Sequence, residues 1–91
     1  MNFEWDPAKA EANYGKHGVR FAESLPVFDD PYAITVTDDE SDPHERRFVS
    51  LGMGAKGRVL VVVYSWRGTS IRIISAWVAA PHELTEYQEK R

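Results

Sequence analysis

The sequence contains no cysteine among its 91 residues. Disulfides and thiolate metal sites are therefore excluded, and the composition suits a reducing compartment. Long apolar runs are also missing, because the longest, Val59–Tyr64, is far shorter than the roughly 20 residues that cross a bilayer. The first residues lack the basic and apolar segments of a signal peptide. We therefore expect a cytoplasmic protein without membrane contact, folded as one domain over residues 1–91.

Carboxylates are absent from the whole stretch Arg46–Pro81. That stretch carries six basic residues, which are Arg46, Arg47, Lys56, Arg58, Arg67 and Arg72. Residues 1–45 contain 11 carboxylates and 3 basic residues, whereas residues 46–91 contain 8 basic residues and 3 carboxylates. This segregation predicts a local positive field, and hence an anionic partner, although the net charge of the chain is −3.

The first third of the sequence has the pattern of a short strand followed by two helices. Residues 2–5 alternate polar and aromatic side chains, as a strand does. Asp6-Pro7 can begin a helix, because an acceptor side chain precedes a proline, and Gly18 can end it. Helical spacing of apolar residues over 21–28 predicts a second helix, which Pro26 interrupts.

The middle of the sequence has the alternation of strands separated by turns. The predicted strands are Tyr32–Thr37, Arg46–Met53, Arg58–Trp66 and Ser70–Val78. An acidic loop, Asp38–Pro43, separates the first two and lacks the spacing of a calcium loop. Pro81 begins a C-terminal helix. The predicted architecture is α+β, with two N-terminal helices, an antiparallel β-meander of about four strands and a C-terminal helix.

Four segments stand out when they are read together. They are Glu4–Lys9 with Lys16–Val19, then Val27–Pro31, then Glu45–Gly52 with Gly57–Val63, and finally Arg67–Ala76 with Glu83 and Tyr87. In this order they resemble the BrnT family of type II toxin–antitoxin toxins. The resemblance implies a RelE/ParE-like fold, with helices on a small antiparallel sheet. It also implies RNA cleavage that inhibits translation and growth, and a ribbon-helix-helix antitoxin that alone contacts operator DNA.

RNA cleavage without a metal requires three kinds of group. A base activates the ribose 2′-hydroxyl, cations stabilise the phosphorane charge, and an acid protonates the leaving 5′-oxygen. Arg47 and Arg72 are the candidate cations, because a guanidinium can bind two phosphate oxygens at once. Glu45 is the candidate base, and His17 could be a base or an acid. The three histidines lack ligand spacing, so we expect neither a metal nor a cofactor.

Each of these candidates also has a purely structural interpretation. Arg72 could form an ion pair with Glu83 or Glu86 of the C-terminal helix. His17 could interact favourably with the dipole at the end of its helix, without a catalytic role. Glu45 could be a solvated residue at the end of a loop. The sequence leaves both interpretations open for each residue.

Further candidates are RNA contacts rather than catalytic groups: Lys16, Arg58, Arg67 and Trp77. Arg58 and Arg67 flank turns and could instead be solvated hairpin charges, and Trp77 could pack in the core or against a partner. Family members usually carry charged residues where this chain has Trp66 and Trp77. The alternative function is therefore an attenuated relative that does not cleave RNA, acting as an antitoxin-binding co-repressor or a plain interaction domain.

Overall fold

The computed structural model describes residues 1–38 and 44–90 and contains a five-stranded sheet. The strands are β1 (Asn2–Glu4), β2 (Ile34–Asp38), β3 (Arg47–Met53), β4 (Val59–Arg67) and β5 (Ser70–Val78). The helices are α1 (Pro7–His17), a 3₁₀ helix (Phe21–Asp29) and α2 (Pro81–Glu89). The predicted α+β class is therefore confirmed. The predicted acidic loop lies outside the described residues, except for Asp38, which ends β2.

The sheet has the strand order β1-β5-β4-β3-β2. Strands β2 to β5 form the predicted antiparallel meander. The predicted sheet is incomplete rather than misplaced, because β1 adds a fifth strand, parallel to β5, with Asn2 opposite Ser70. This pairing joins a three-residue strand to a distant part of the chain, so no local turn in the sequence reveals it.

The N-terminal helices follow their predicted signals in part. In α1, Asp6 Oδ1 accepts a hydrogen bond of 2.8 Å from Ala8 N, and Gly18 ends the helix with a φ of 67°. The second predicted helix is a 3₁₀ helix that contains Pro26, a residue disfavoured in the interior of an α-helix. Ser24 Oγ donates to the carbonyl oxygen of Phe21 at 2.6 Å within this tighter turn.

Apolar side chains pack on both faces of the sheet. Leu60 of β4 faces α1 and the 3₁₀ helix, whereas the neighbouring Val61 belongs to a cluster with Tyr87 of α2 on the opposite face. The Tyr87 hydroxyl donates a hydrogen bond of 2.6 Å to Asp30 Oδ2. Tyr87 is the buried residue through which α2 packs, so α2 covers only one end of its sheet face. The basic residues within the strands lie toward the other end of the sheet; they are Arg47, Arg67 and Arg72.

Asn13 of α1 substitutes for a strand along the edge of β5 that β1 does not reach. Its Oδ1 accepts from Ala76 N at 3.1 Å, and its Nδ2 donates to Ala76 O at 2.9 Å. The same amide binds Ser75 Oγ at 3.1 Å and Val19 O at 3.0 Å. This buried side chain therefore satisfies the backbone of β5 as a neighbouring strand would.

Candidate active site

A row of polar residues crosses all five strands. Glu4 lies opposite Arg72, Arg72 opposite Ser65, Ser65 opposite Arg47, and Arg47 opposite Asp38. Residues opposite each other in a sheet share a face, and this row shares the face of Val61, on which α2 packs. Arg47 and Arg72 are two strands apart, so their Cα atoms are separated by about 10 Å. The sheet thus brings the two predicted cations together.

A polar cavity of about 120 Å³, called the arginine cavity below, lies beside this row. Its lining residues are Asp6, Lys9, Glu45, Arg47, Arg72, Ile73 and Ile74. The cavity forms where β1 ends opposite Arg72 and leaves the next residues of β5 uncovered by a strand. At the same point the register between β4 and β5 shifts, and Ile74 is the extra residue of a β-bulge. Three of the four predicted catalytic residues, Glu45, Arg47 and Arg72, therefore surround one space.

The guanidinium of Arg72 is incompletely hydrogen-bonded. Its Nη2 lies 3.5 Å from Glu4 Oε2, at the outer limit of a hydrogen bond. Its Nε is buried and has no hydrogen-bond partner among the described residues. The suggested ion pair of Arg72 with Glu83 or Glu86 does not form: Arg72 pairs with Glu4, and Glu83 Oε1 instead accepts from Ala80 N at 2.8 Å and caps α2. Arg72 is therefore only weakly paired within the protein, and its side chain is 38% exposed.

Glu45 is held at the rim of the cavity, ahead of β3. The side chain is half-buried, and its Oε1 accepts a hydrogen bond of 3.1 Å from Ser65 Oγ. Ser65 itself is 1% exposed and belongs to the polar row that crosses the sheet. A carboxylate in this position can accept a proton from a hydroxyl group bound near the arginines. Its half-buried, hydrogen-bonded side chain therefore differs from the solvated loop end that the sequence also allowed.

His17 lines a different cleft, of about 580 Å³, with Lys16, Ser75, Trp77 and Val78. The rings of His17 and Trp77 are 5.8 Å apart between centroids and tilted by 40°. This cleft lies farther along β5 than the arginine cavity. The structure therefore separates the predicted catalytic His17 from Glu45 and the arginines, and it groups His17 with the predicted RNA contacts Lys16 and Trp77.

The two remaining predicted RNA contacts lie at hairpin ends. Arg58 donates from Nε and Nη2 to Glu23 Oε2 and Oε1 at 2.8 and 2.6 Å, and Glu23 is only 5% exposed. The hydrogen bond with Glu23 raises the pKa of Arg58 above its ordinary value, against the opposing effect of burial. Arg67 is exposed at the end of β4, beside the turn at Gly68, where φ is 62°. Arg58 is thus engaged in an internal ion pair rather than solvated.

The two indoles at positions where the family usually has a charge do not line the arginine cavity. Trp66 is 47% exposed and follows Ser65 in β4, so its side chain points to the opposite face of the sheet. Trp77 lies in the cleft with His17. The set formed by Glu45, Arg47 and Arg72 is therefore structurally independent of both substitutions.

Lys9 is the cavity residue that sequence reasoning did not select. It lies in the first turn of α1, whose N-cap Asp6 also lines the cavity. A lysine on the exposed side of a helix resembles any solvated charge, so its spacing gave no functional signal. The available clue was its position in Glu4–Lys9, one of the segments that carry the family resemblance. Lys9, Arg47 and Arg72 together oppose the carboxylates of Asp6 and Glu45 in this cavity.

Comparison with known proteins identifies the family of this chain. A family model described as "Ribonuclease toxin, BrnT, of type II toxin-antitoxin system" matches residues 5–83. A similar solved structure is the Brucella abortus ribonuclease toxin BrnT, with a TM-score of 0.71 and 23% identity, covering 88% of this chain and 97% of that chain. At that identity the structural likeness shows a shared fold. No curated protein matches the sequence. Because the family model spans most of the chain, this protein belongs to the BrnT family of ribonuclease toxins of type II toxin–antitoxin systems.

Proposed function

We propose that this chain is an active endoribonuclease that cleaves RNA in the arginine cavity without a metal ion. The observation that carries the proposal is the convergence of Glu45, Arg47, Arg72 and Lys9 on one polar space. Family membership implies an RNA substrate and an antitoxin partner. The weak pairing of Arg72 supports phosphate binding at this site, because its partly exposed side chain makes one long contact, with Glu4, and a phosphate would offer closer acceptors.

In the proposed reaction, Glu45 removes the proton of the ribose 2′-hydroxyl, and the resulting oxygen attacks the adjacent phosphorus. A bond forms between the 2′-oxygen and phosphorus, and the bond from phosphorus to the 5′-oxygen breaks. Arg47 and Arg72 stabilise the charge that develops on the phosphorane oxygens. Lys9 donates a proton to the leaving 5′-oxygen. The products are a 2′,3′-cyclic phosphate and a 5′-hydroxyl.

The partner and the cellular role extend this proposal. The antitoxin is of the ribbon-helix-helix type, so the toxin reaches operator DNA only through it, and free toxin acts in the cytoplasm by halting translation and growth. These statements rest on the resemblance in sequence rather than on the site geometry. Within residues 1–38 and 44–90, no helix is long and apolar enough to span a membrane.

Purified protein incubated with RNA in the presence of a chelator tests the activity. We expect cleavage with cyclic phosphate ends, inhibition by antitoxin, and no cleavage of the matching 2′-deoxy oligonucleotide. Arg47→Ala and Arg72→Ala should each reduce the rate by about 10²- to 10³-fold, as loss of a charge-stabilising donor does. Glu45→Gln should reduce it by about 10²- to 10⁴-fold, as loss of a general base does.

Arg46→Ala is the matched control, because it removes the same charge from an exposed residue that does not line the cavity. Its rate should equal that of the unaltered protein. Equal losses for Arg46→Ala and Arg72→Ala would contradict the assignment of the site. A protein that binds antitoxin tightly but never cleaves RNA would contradict the proposed activity and leave the co-repressor function.

A further inference from the structure

The cleft beside α1 has no part in the proposed cleavage step. It offers two adjacent aromatic rings, those of His17 and Trp77, and it is bordered by Val78, which is 43% exposed. Lys16 adds one positive charge at the same cleft. An apolar, partly aromatic space with a cation beside it suits a flat, uncharged group that is attached to an anion.

The β-bulge places one strand residue of this cleft, Trp77, and one of the arginine cavity, Arg72, on the same face of the sheet. Arg72 and Trp77 are five positions apart in β5, and regular alternation would point their side chains to opposite faces. The extra residue, Ile74, brings the two side chains back to the same face, because their partners in β4, Ser65 and Val61, are an even number of positions apart. The two sites therefore follow one another along β5, within about 16 Å.

We propose that the cleft binds an unstacked base of the RNA whose phosphate occupies the arginine cavity. The base stacks against Trp77 and His17, and Lys16 contacts the neighbouring backbone. This inference rests on the proposed function and deepens it, because a base can enter the cleft only from single-stranded RNA. The chain would thus select single strands through the side chain of Trp77.

An RNA base is favoured over an apolar side chain of the antitoxin by two observations. The cleft continues along β5 into the cavity proposed to hold phosphate, so one extended ligand can fill both. Lys16 also gives the cleft the positive charge that a nucleotide backbone complements. Docking of the antitoxin at Trp77 is the alternative that the experiment separates.

Binding of a single-stranded RNA carrying 2′-O-methyl groups, which cannot be cleaved, tests the inference by fluorescence anisotropy. Stacking contributes about 1–3 kcal/mol per base, which corresponds to a roughly 5- to 140-fold change in Kd. We expect Trp77→Ala to weaken binding by a factor in this range and Trp77→Phe to retain most of the affinity. Trp66→Ala is the matched control, because it removes an exposed indole from the other face of the sheet, and its affinity should be unchanged.

Oligonucleotides with a single abasic site provide a second readout that is insensitive to loss of stability. One abasic position should weaken binding to the unaltered protein but not to Trp77→Ala, because the two changes remove the same contact. The same abasic penalty in both proteins would overturn the inference, as would loss of antitoxin affinity without loss of RNA affinity. If Arg72→Ala abolishes cleavage while Trp77→Ala changes nothing, the base cleft is wrong and the proposed ribonuclease stands.

Discussion

Among individual side chains, Glu23 and Arg58 show how a charge that looks solvated in the sequence becomes structural. Glu23 belongs to the 3₁₀ helix and Arg58 to the turn before β4, so their ion pair ties the helical layer to the β3–β4 hairpin. Arg58 Nη2 also reaches the carbonyl oxygen of Gly18 at 3.2 Å, beyond the end of α1. One guanidinium therefore connects the end of α1 and the 3₁₀ helix to the distant β3–β4 hairpin.

Arg58→Ala should lower the free energy of unfolding by about 2–3 kcal/mol. This is less than the roughly 3–5 kcal/mol for a fully buried pair, because the Arg58 side chain is 36% exposed and water can reach the remaining carboxylate. Chemical denaturation measures the difference. Lys56→Ala, which removes an exposed charge from the same hairpin, should change stability by no more than about 0.5 kcal/mol. Similar losses for the two variants would show that the ion pair is unimportant.

The pH dependence of this ion pair follows from the direction of the pKa shift. The folded state raises the pKa of Arg58, so the stabilisation is fully present below the unfolded pKa and is lost only as pH rises through the higher folded pKa. We therefore expect the stability difference between the unaltered protein and Arg58→Ala to stay constant from about pH 6 to 10. Denaturation curves across this range measure it, and a steady decline with pH would contradict the prediction.

At the level of secondary structure, α1 and β5 depend on one another through Asn13. The amide of Asn13 binds both the N–H and the carbonyl of Ala76, so the helix replaces the strand that β1 is too short to provide. The same helix contributes Lys9 to the arginine cavity and His17 to the cleft. The position of α1 along β5 therefore sets the relation between the two proposed RNA sites.

Asn13→Ala should destabilise the fold by about 2–4 kcal/mol, because it leaves the buried backbone groups of Ala76 and Val19 without partners. It should also weaken RNA binding, as α1 loses its fixed position on β5. Thermal denaturation and RNA anisotropy measure the two effects. Glu11→Ala on the exposed face of α1 is the control, and its pair with Arg20 at 3.7 Å should be worth no more than about 1 kcal/mol. Equal stability of the two variants would contradict the role of Asn13.

The C-terminal helix packs on the sheet through Tyr87, whose hydroxyl donates a hydrogen bond to Asp30. Tyr87→Phe keeps the buried ring but removes the hydrogen bond to Asp30, whose Oδ2 also accepts from Met53 N at 2.8 Å. We expect a loss of about 1–2 kcal/mol and faster amide exchange throughout α2 than in β4. Hydrogen exchange followed by mass spectrometry measures this contrast. Uniformly faster exchange would mean that Tyr87 stabilises the whole fold rather than α2 alone.

For the molecule as a whole, the positive field is local rather than global. The net charge is −3, yet Lys9, Lys16, Arg47 and Arg72 line two adjacent sites along β5. Single-stranded RNA releases about 0.7 counterions per neutralised phosphate, so four contacts predict a slope near −3 for log affinity against log salt. Arg72→Ala should reduce the slope by about 0.7, whereas Arg46→Ala should leave it unchanged. A slope near zero would exclude phosphate contacts as the basis of binding.

The sequence was sufficient for the features encoded by local signals. The ends of α1, the meander from β2 to β5 and the start of α2 all follow from caps, alternation and turns. The pairing of β1 with β5 could not be predicted, because it is a distant contact of a three-residue strand. The common face of Arg72 and Trp77 was equally hidden, because it depends on a bulge that has no signature in the sequence. The roles of Asn13 and Lys9 depend on those tertiary relations.

The polar row across the sheet has a consequence for how a nucleic acid strand is oriented. Its two arginines lie on inner strands, whereas Glu4 and Asp38 occupy the outer strands at either end. A phosphate would be attracted to the centre of the row and repelled by the carboxylates at both margins. An RNA backbone that crossed the sheet from edge to edge would meet this repulsion twice. The direction of least electrostatic cost therefore runs along β5, which is the path that joins the two proposed RNA sites.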